Sequence, residues 1–145
     1  MIDQSLPCII ELKVEGQSNN RADTPLRALL EGLVYCAIVE KNITVIAEEA
    51  SRKFGLSILA TPPVLIIMAP EAYWVGYLDH AKSGPWLPEL NRIMAGLKKQ
   101  LNLDIQLLAI KDANFKMGLG GKPAVLIGDC EFLTVQQIAD GRLRG

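Results

Sequence analysis

Glu11 and Lys13 stand two residues apart in an apolar run, "CIIELKV", that breaks into the polar stretch "GQSNN". In a strand, residues i and i+2 project from the same face. The carboxylate and the ammonium therefore sit side by side, while Ile10 and Leu12 point the other way. On an exposed face such an ion pair contributes little. The next helical stretch adds weight to a site. With residues 26 to 41 spaced at about 100° each, apolar side chains cover most of the circle. Glu31 falls between Ile38 and Tyr35, and Glu40 between Leu29 and Leu33. A carboxylate in such surroundings is costly unless it is paired, hydrogen-bonded, protonated or metal-bound. Arg27, one turn earlier, is one candidate partner for Glu31. Glu40 lies near the helix end and reaches water, so Glu31 is the stronger site residue.

The elements that must position these residues alternate. "CIIELKV" reads as a strand. Thr24 followed by Pro25 reads as a helix cap and first-turn proline. The helix "PLRALLEGLVYCAIVEK" follows, with a kink or restart at Asn42 to Thr44 and a glycine stop at Gly55. "PPVLIIMAP" is continuously apolar and reads as a central strand. Two helical stretches come next, "EAYWVGYLDHAK" and "PWLPELNRIMAGLKKQL". "DIQLLAIKD" is a third strand and "PAVLIGD" a fourth, and the tail "CEFLTVQQIADGRLRG" holds one short helix. Strands separated by helices imply an α/β sheet. Only a loop separates the last two strands, so a mixed sheet is expected.

Residues 1–145 fit one domain with a substantial core. Half of the residues are hydrophobic, which excludes a disordered chain. The net charge of −1 gives no global attraction to nucleic acid, so a polyanion would need a local basic patch. Cys8, Cys36 and Cys130 are odd in number and dispersed, and read as buried thiols in a reducing compartment. No apolar run has transmembrane length and no signal pattern opens the chain. A cytoplasmic protein is expected, with no membrane contact. "GLGGKP" at 118–123 lacks the spacing of a phosphate loop. His80 is a lone histidine, and Arg92, Lys98 and Lys99 read as a solvated helix face.

The strand with Glu11-Leu12-Lys13, followed by a loop and a helix carrying "EGLVY" from Glu31 to Tyr35, resembles the PD-(D/E)XK nuclease superfamily. The second piece is similar to the Q-x-x-x-Y helix signature of its RecB-like branch, with Glu in place of Gln. The resemblance covers roughly residues 7 to 70. It implies a restriction-endonuclease-like fold, a mixed sheet flanked by helices, and hydrolysis of phosphodiester bonds in nucleic acid. It further implies Mg²⁺ held by Glu11 and the Leu12 carbonyl, since that ion takes oxygen ligands. Lys13 would orient or help deprotonate the attacking water, and Glu31 and Tyr35 would hold the site in shape.

The family pattern places an Asp on a preceding strand, and Asp3 is the sole upstream acid here. Either a very tight hairpin puts Asp3 in that role, or an N-terminal segment is missing, or the site is degenerate and the fold serves binding or assembly. Without the elements that normally precede it, the "CIIELKV" strand would have an open edge, and a homodimer is expected to cover it.

Overall fold

The structure, a computed structural model, describes residues 5–13, 24–78, 86–111, 114–116, 125–127 and 131–142. The first strand, β1 (Cys8–Leu12), lies parallel to β2 (Val64–Pro70), with Cys8 opposite Val64 and Leu12 opposite Met68. A bond from Lys13 N to Met68 O, at 2.8 Å, carries the pairing one residue further. Between these strands runs helix α1 (Pro25–Phe54). Thr24 Oγ1 accepts from Arg27 N at 3.2 Å, and Pro25 occupies a first-turn position where no amide partner is needed.

Helix α1 continues through Asn42–Thr44, where the sequence predicts a kink or restart. Asn42 Nδ2 donates to Ile38 O at 2.7 Å, so the asparagine satisfies itself on its own helix instead of breaking it. Arg52 and Lys53 sit in the last turn, where cations suit the helix dipole. Gly55 then adopts φ 66°, and its amide reaches Ser51 O at 3.0 Å. That left-handed cap is where glycine costs least.

After β2 come α2 (Glu71–Leu78), α3 (Trp86–Leu101) and β3 (Ile105–Lys111), which adds to β2 in parallel. Strands β4 (Asn114–Lys116) and β5 (Val125–Ile127) form a separate antiparallel ribbon. The run "PAVLIGD" therefore does not join the main sheet. Its fourth strand is β6 (Glu131–Thr134), antiparallel to β3, in the tail that reads from sequence as holding a helix alone. Thr134 ends this strand and caps α4 (Val135–Arg142). Its hydroxyl accepts from Gln137 N at 3.2 Å, and its own amide donates to Gln137 Oε1 at 2.7 Å. That reciprocal box needs only Thr-x-x-Gln.

The main sheet thus has the order β1-β2-β3-β6, mixed as expected. Its core lies on one face. Leu65, Ile67 and Ala69 of β2 and Leu107 and Ala109 of β3 are buried there. They form one cluster with Ala28, Leu29 and Cys36 of α1, Trp74 of α2, Leu87 and Leu90 of α3, and Val135 and Ile138 of α4. Trp74 keeps its indole satisfied by donating to Leu108 O at 2.9 Å. β2 lies between β1 and β3, central as its continuously apolar run leads one to expect. Its residues alternate between buried and half-buried, because Ile66 and Met68 lie on the far face, outside that cluster.

Candidate functional site

Lys13 follows the last residue of β1 and is 7 % exposed, the one buried charged residue among those described. Its side chain shares the core-side face with Ile9 and Glu11, under α1. The ammonium sits between two carboxylates. Nζ is 2.9 Å from Glu11 Oε1 and 2.6 Å from Glu31 Oε2. Glu31 in turn receives Arg27 Nε on its other oxygen at 2.9 Å. Glu31 thus has the preceding arginine that the sequence offers as a partner and, in addition, the strand lysine. The result is a chain of alternating charge, Glu11–Lys13–Glu31–Arg27. It joins the carboxyl end of β1 to the second turn of α1.

Local structure brings these residues together. The i, i+2 relation places Glu11 and Lys13 on one strand face, and the i, i+4 relation places Arg27 under Glu31. Gly32, next to Glu31, lets α1 lie close on the sheet. A Cβ there would stand 2.6 Å from Leu65 Cδ1. That close approach brings the Glu31 carboxylate within reach of Lys13. The Lys13 hydrogen bond, and then the Arg27 bond, hold the Glu31 carboxyl below its ordinary value. The cluster lies at the carboxyl end of parallel strands, where ligands of open α/β sheets bind.

Other candidates fall elsewhere. Tyr35 stands one turn beyond Glu31 and is half exposed. The Leu12 side chain is exposed on the opposite face of the sheet from Glu11. The bonds Val64 N to Pro7 O and Lys13 N to Met68 O turn the odd-numbered residues toward β2. The backbone groups of Cys8, Ile10 and Leu12 therefore point to the outer edge, so the Leu12 carbonyl opens away from β2. Asp3, His80, Cys130 and residues 118–123 lie outside the described residues. Glu40 is exposed, although α1 runs on to Phe54 and so places it in mid-helix and not near the end. The Arg92 and Lys98 charges are matched by Glu89 at 2.9 Å and Asp104 at 2.6 Å, and Lys99 beside them is exposed.

Cys36 is buried, and burial pushes its thiol up to about 11. Cys8, expected to be buried, is exposed, because it opens the edge strand on the uncovered side. A cavity of about 300 Å³ between the start of α1 and α3 is lined by Pro25, Leu26, Tyr77, Trp86 and Leu90. No sequence periodicity signalled it, because its walls come from three separate helices. No helix among the described residues is long and apolar enough to cross a membrane. Among the same residues no group of three or more His, Cys, Asp or Glu side chains converges.

Comparison with protein-family models, with curated proteins and with solved structures finds no match to this chain.

Proposed function

We propose that the chain is a Mg²⁺-dependent, nuclease-like domain of the PD-(D/E)XK type, with its site at Glu11, Lys13 and Glu31. The observation that carries this reading is the position of Lys13, a buried ammonium held between two carboxylates at the mouth of a parallel strand pair. A Glu-x-Lys strand under a helix carboxylate is the arrangement the resemblance implies.

The donor set suits a hard cation only in part. Glu11 supplies carboxylate oxygen, and the Leu12 carbonyl lies at the strand edge beside it. With one carboxylate and one carbonyl, most of an octahedral shell is left to water. A cation bound there supplies Lewis-acid polarisation of a phosphate oxygen. The chain's own groups do the rest. Glu31 and Glu11 fix the Lys13 ammonium, so it presents positive charge at one spot without reorganising. From there Lys13 orients a water and stabilises charge on a phosphate. Arg27 holds Glu31 from the far side, so the carboxylate does not swing to solvent.

One observation favours a second reading. The cluster neutralises itself, two carboxylates against two cations, and it can serve as a clamp between α1 and β1 in a non-catalytic interaction module. Calorimetry with Mn²⁺ or Mg²⁺ separates the two readings. A metal site gives weak binding to the wild-type chain that disappears in Glu11→Ala. Identical titrations of both proteins would leave the clamp and remove the metal site. Hydrolysis of labelled DNA and RNA by this form is expected to be low, with any activity lost in Lys13→Met.

A further inference from the structure

The strand that carries the site is also the open edge of the sheet. Among the described residues nothing pairs with the outer side of β1, where Cys8, Ile10 and Leu12 turn their amides and carbonyls outward. Ile10 and Leu12 are 56 % and 55 % exposed beside that edge. Above it, α1 is apolar where it faces away from the core. Val34, Tyr35, Ile38 and Val45 are each more than half exposed. An edge strand with free backbone groups and an apolar flank is a template for another strand.

We infer that a second copy of this chain occupies the edge. Two β1 strands pair antiparallel about a two-fold axis at Ile10, making one eight-stranded sheet, and the two α1 helices pack across the same axis.

Four independent features agree on this arrangement. The first is hydrogen bonding. With Ile10 opposite its symmetry mate, Cys8 lies opposite Leu12, and all three residues are the ones whose backbone groups face outward. The pairing is therefore complete without any shift, and no proline interrupts it. The same register sets Glu11 against Ile9 and Lys13 against Pro7 of the second copy, so no like charges meet.

The second feature is spacing. Helix α1 packs on both β1 and β2, over the groove between them. Across a β1–β1 pair the two helices then lie two strand spacings apart, about 9.6 Å. Packed helices sit roughly 8–10 Å apart.

The third is angle. Neighbouring strands turn by about −20 to −25°, and two such steps bring the helix axes to roughly −40 to −50°. That is close to the −50° class, in which rows of residues four apart interlock. Val34, Ile38, Asn42 and Ile46 form such a row on the exposed side of α1. Asn42 fits this row because its amide is already bonded to its own helix.

The fourth is level. Lys13 reaches Glu31, and Ile10 lies about 10 Å back along the strand from Lys13. Helix α1 runs the other way at about 1.5 Å per residue, so roughly seven residues beyond Glu31 are needed. That places Ile38 beside Ile10, on the same axis. Ile10, Leu12, Val34, Tyr35, Ile38 and Val45 are each more than half exposed, and they are the apolar surface that this pairing draws on. A specific dimer buries roughly 1,200–2,000 Å² in all.

Light scattering across micromolar concentrations reads this directly. The expected mass is about twice the 15.9 kDa of one chain. Ile10→Pro removes one outward amide and leaves the bonds of Ile9, Glu11 and Lys13 to β2 in place. Ile38→Lys charges the helix crossing at an exposed position where the fold tolerates it. Each is expected to weaken association at least about tenfold, with unchanged circular dichroism. In a Cys8→Ser, Cys130→Ser background, Ile38→Cys is expected to form a disulfide-linked dimer on oxidation. A monomer at every concentration would overturn the inference. So would a dimer that keeps its affinity in both variants, since its interface would then lie elsewhere, for example on the far face of the sheet.

Discussion

Glu31 is the residue where sequence and structure speak most directly to each other. Its position on an otherwise apolar helix circle marked it as needing a partner, and it has two, Lys13 and Arg27. The i, i+4 partner was legible in the chain, because helical spacing is local. That Lys13 is the second partner, and that it is buried, was not fixed by spacing. It depends on how closely α1 lies on the sheet, which the tight contact of Gly32 with Leu65 of β2 helps to set. The consequence can be read in pH. The folded-state carboxyl of Glu31 lies below its ordinary 4.5, so the ionised form is the one the fold favours. Its contribution is fully present above that ordinary value and is lost as pH falls through the folded one. Wild type should therefore exceed Glu31→Gln in urea midpoint at neutral pH, with the gap closing at a pH well below that ordinary 4.5. A gap of the same size at both values would mean that the pairing adds nothing to stability.

At the scale of elements, helix α1 shows what a chain announces and what it hides. Both its ends were legible, since Thr24-Pro25 and Gly55 are local signals with a backbone cause. Its continuity was not, because the fate of Asn42 depended on a side-chain bond back to Ile38. Strand β6 was hidden for another reason. Four residues carry little periodicity, and only the free edge of β3 selects them. The contact of α1 with the sheet gives a paired test. Gly32→Ala would put a Cβ at 2.6 Å from Leu65 Cδ1 and 3.0 Å from Cδ2, and Leu65 is fully buried with nowhere to move. Overpacking by about 1–3 kcal/mol then exceeds the roughly 1 kcal/mol gain in helix propensity. The net result is a loss of about 1 kcal/mol. Gly96→Ala in α3 meets nothing within 4 Å and should gain about 0.5–1 kcal/mol. Denaturant unfolding of both variants checks the pair, and equal changes would contradict the close approach of α1 to β2.

For the molecule as a whole, the α/β class and a mixed sheet were legible from the alternation of elements, but the layering was not. The run Val64–Pro70 reads the same whether one face or both faces of β2 are covered. In the fold, the described helices contribute to a cluster on one face, and Ile66, Met68, Leu108 and Ile110 line the other. Stability should therefore be uneven, and α1 shows where. At about 45 Å it is roughly twice as long as a seven-residue strand. Its fully buried positions crowd into the first half, at Pro25, Ala28, Leu29, Gly32 and Cys36. Only Ile43 and Ala50 follow in the remainder. Amides whose bonds sit under a packed core open only with global unfolding, whereas those on a poorly covered segment open locally at lower cost. Hydrogen exchange should thus be slowest in β2, β3 and residues 28–40 of α1, and faster by orders of magnitude beyond residue 45. The clamp of Lys13 on Glu31 lies in the slow half, so the candidate site is anchored in the part of the helix that opens last. Uniform protection along α1 would refute this and would mean that the far half of the helix is covered in solution by a surface other than the described residues of one chain.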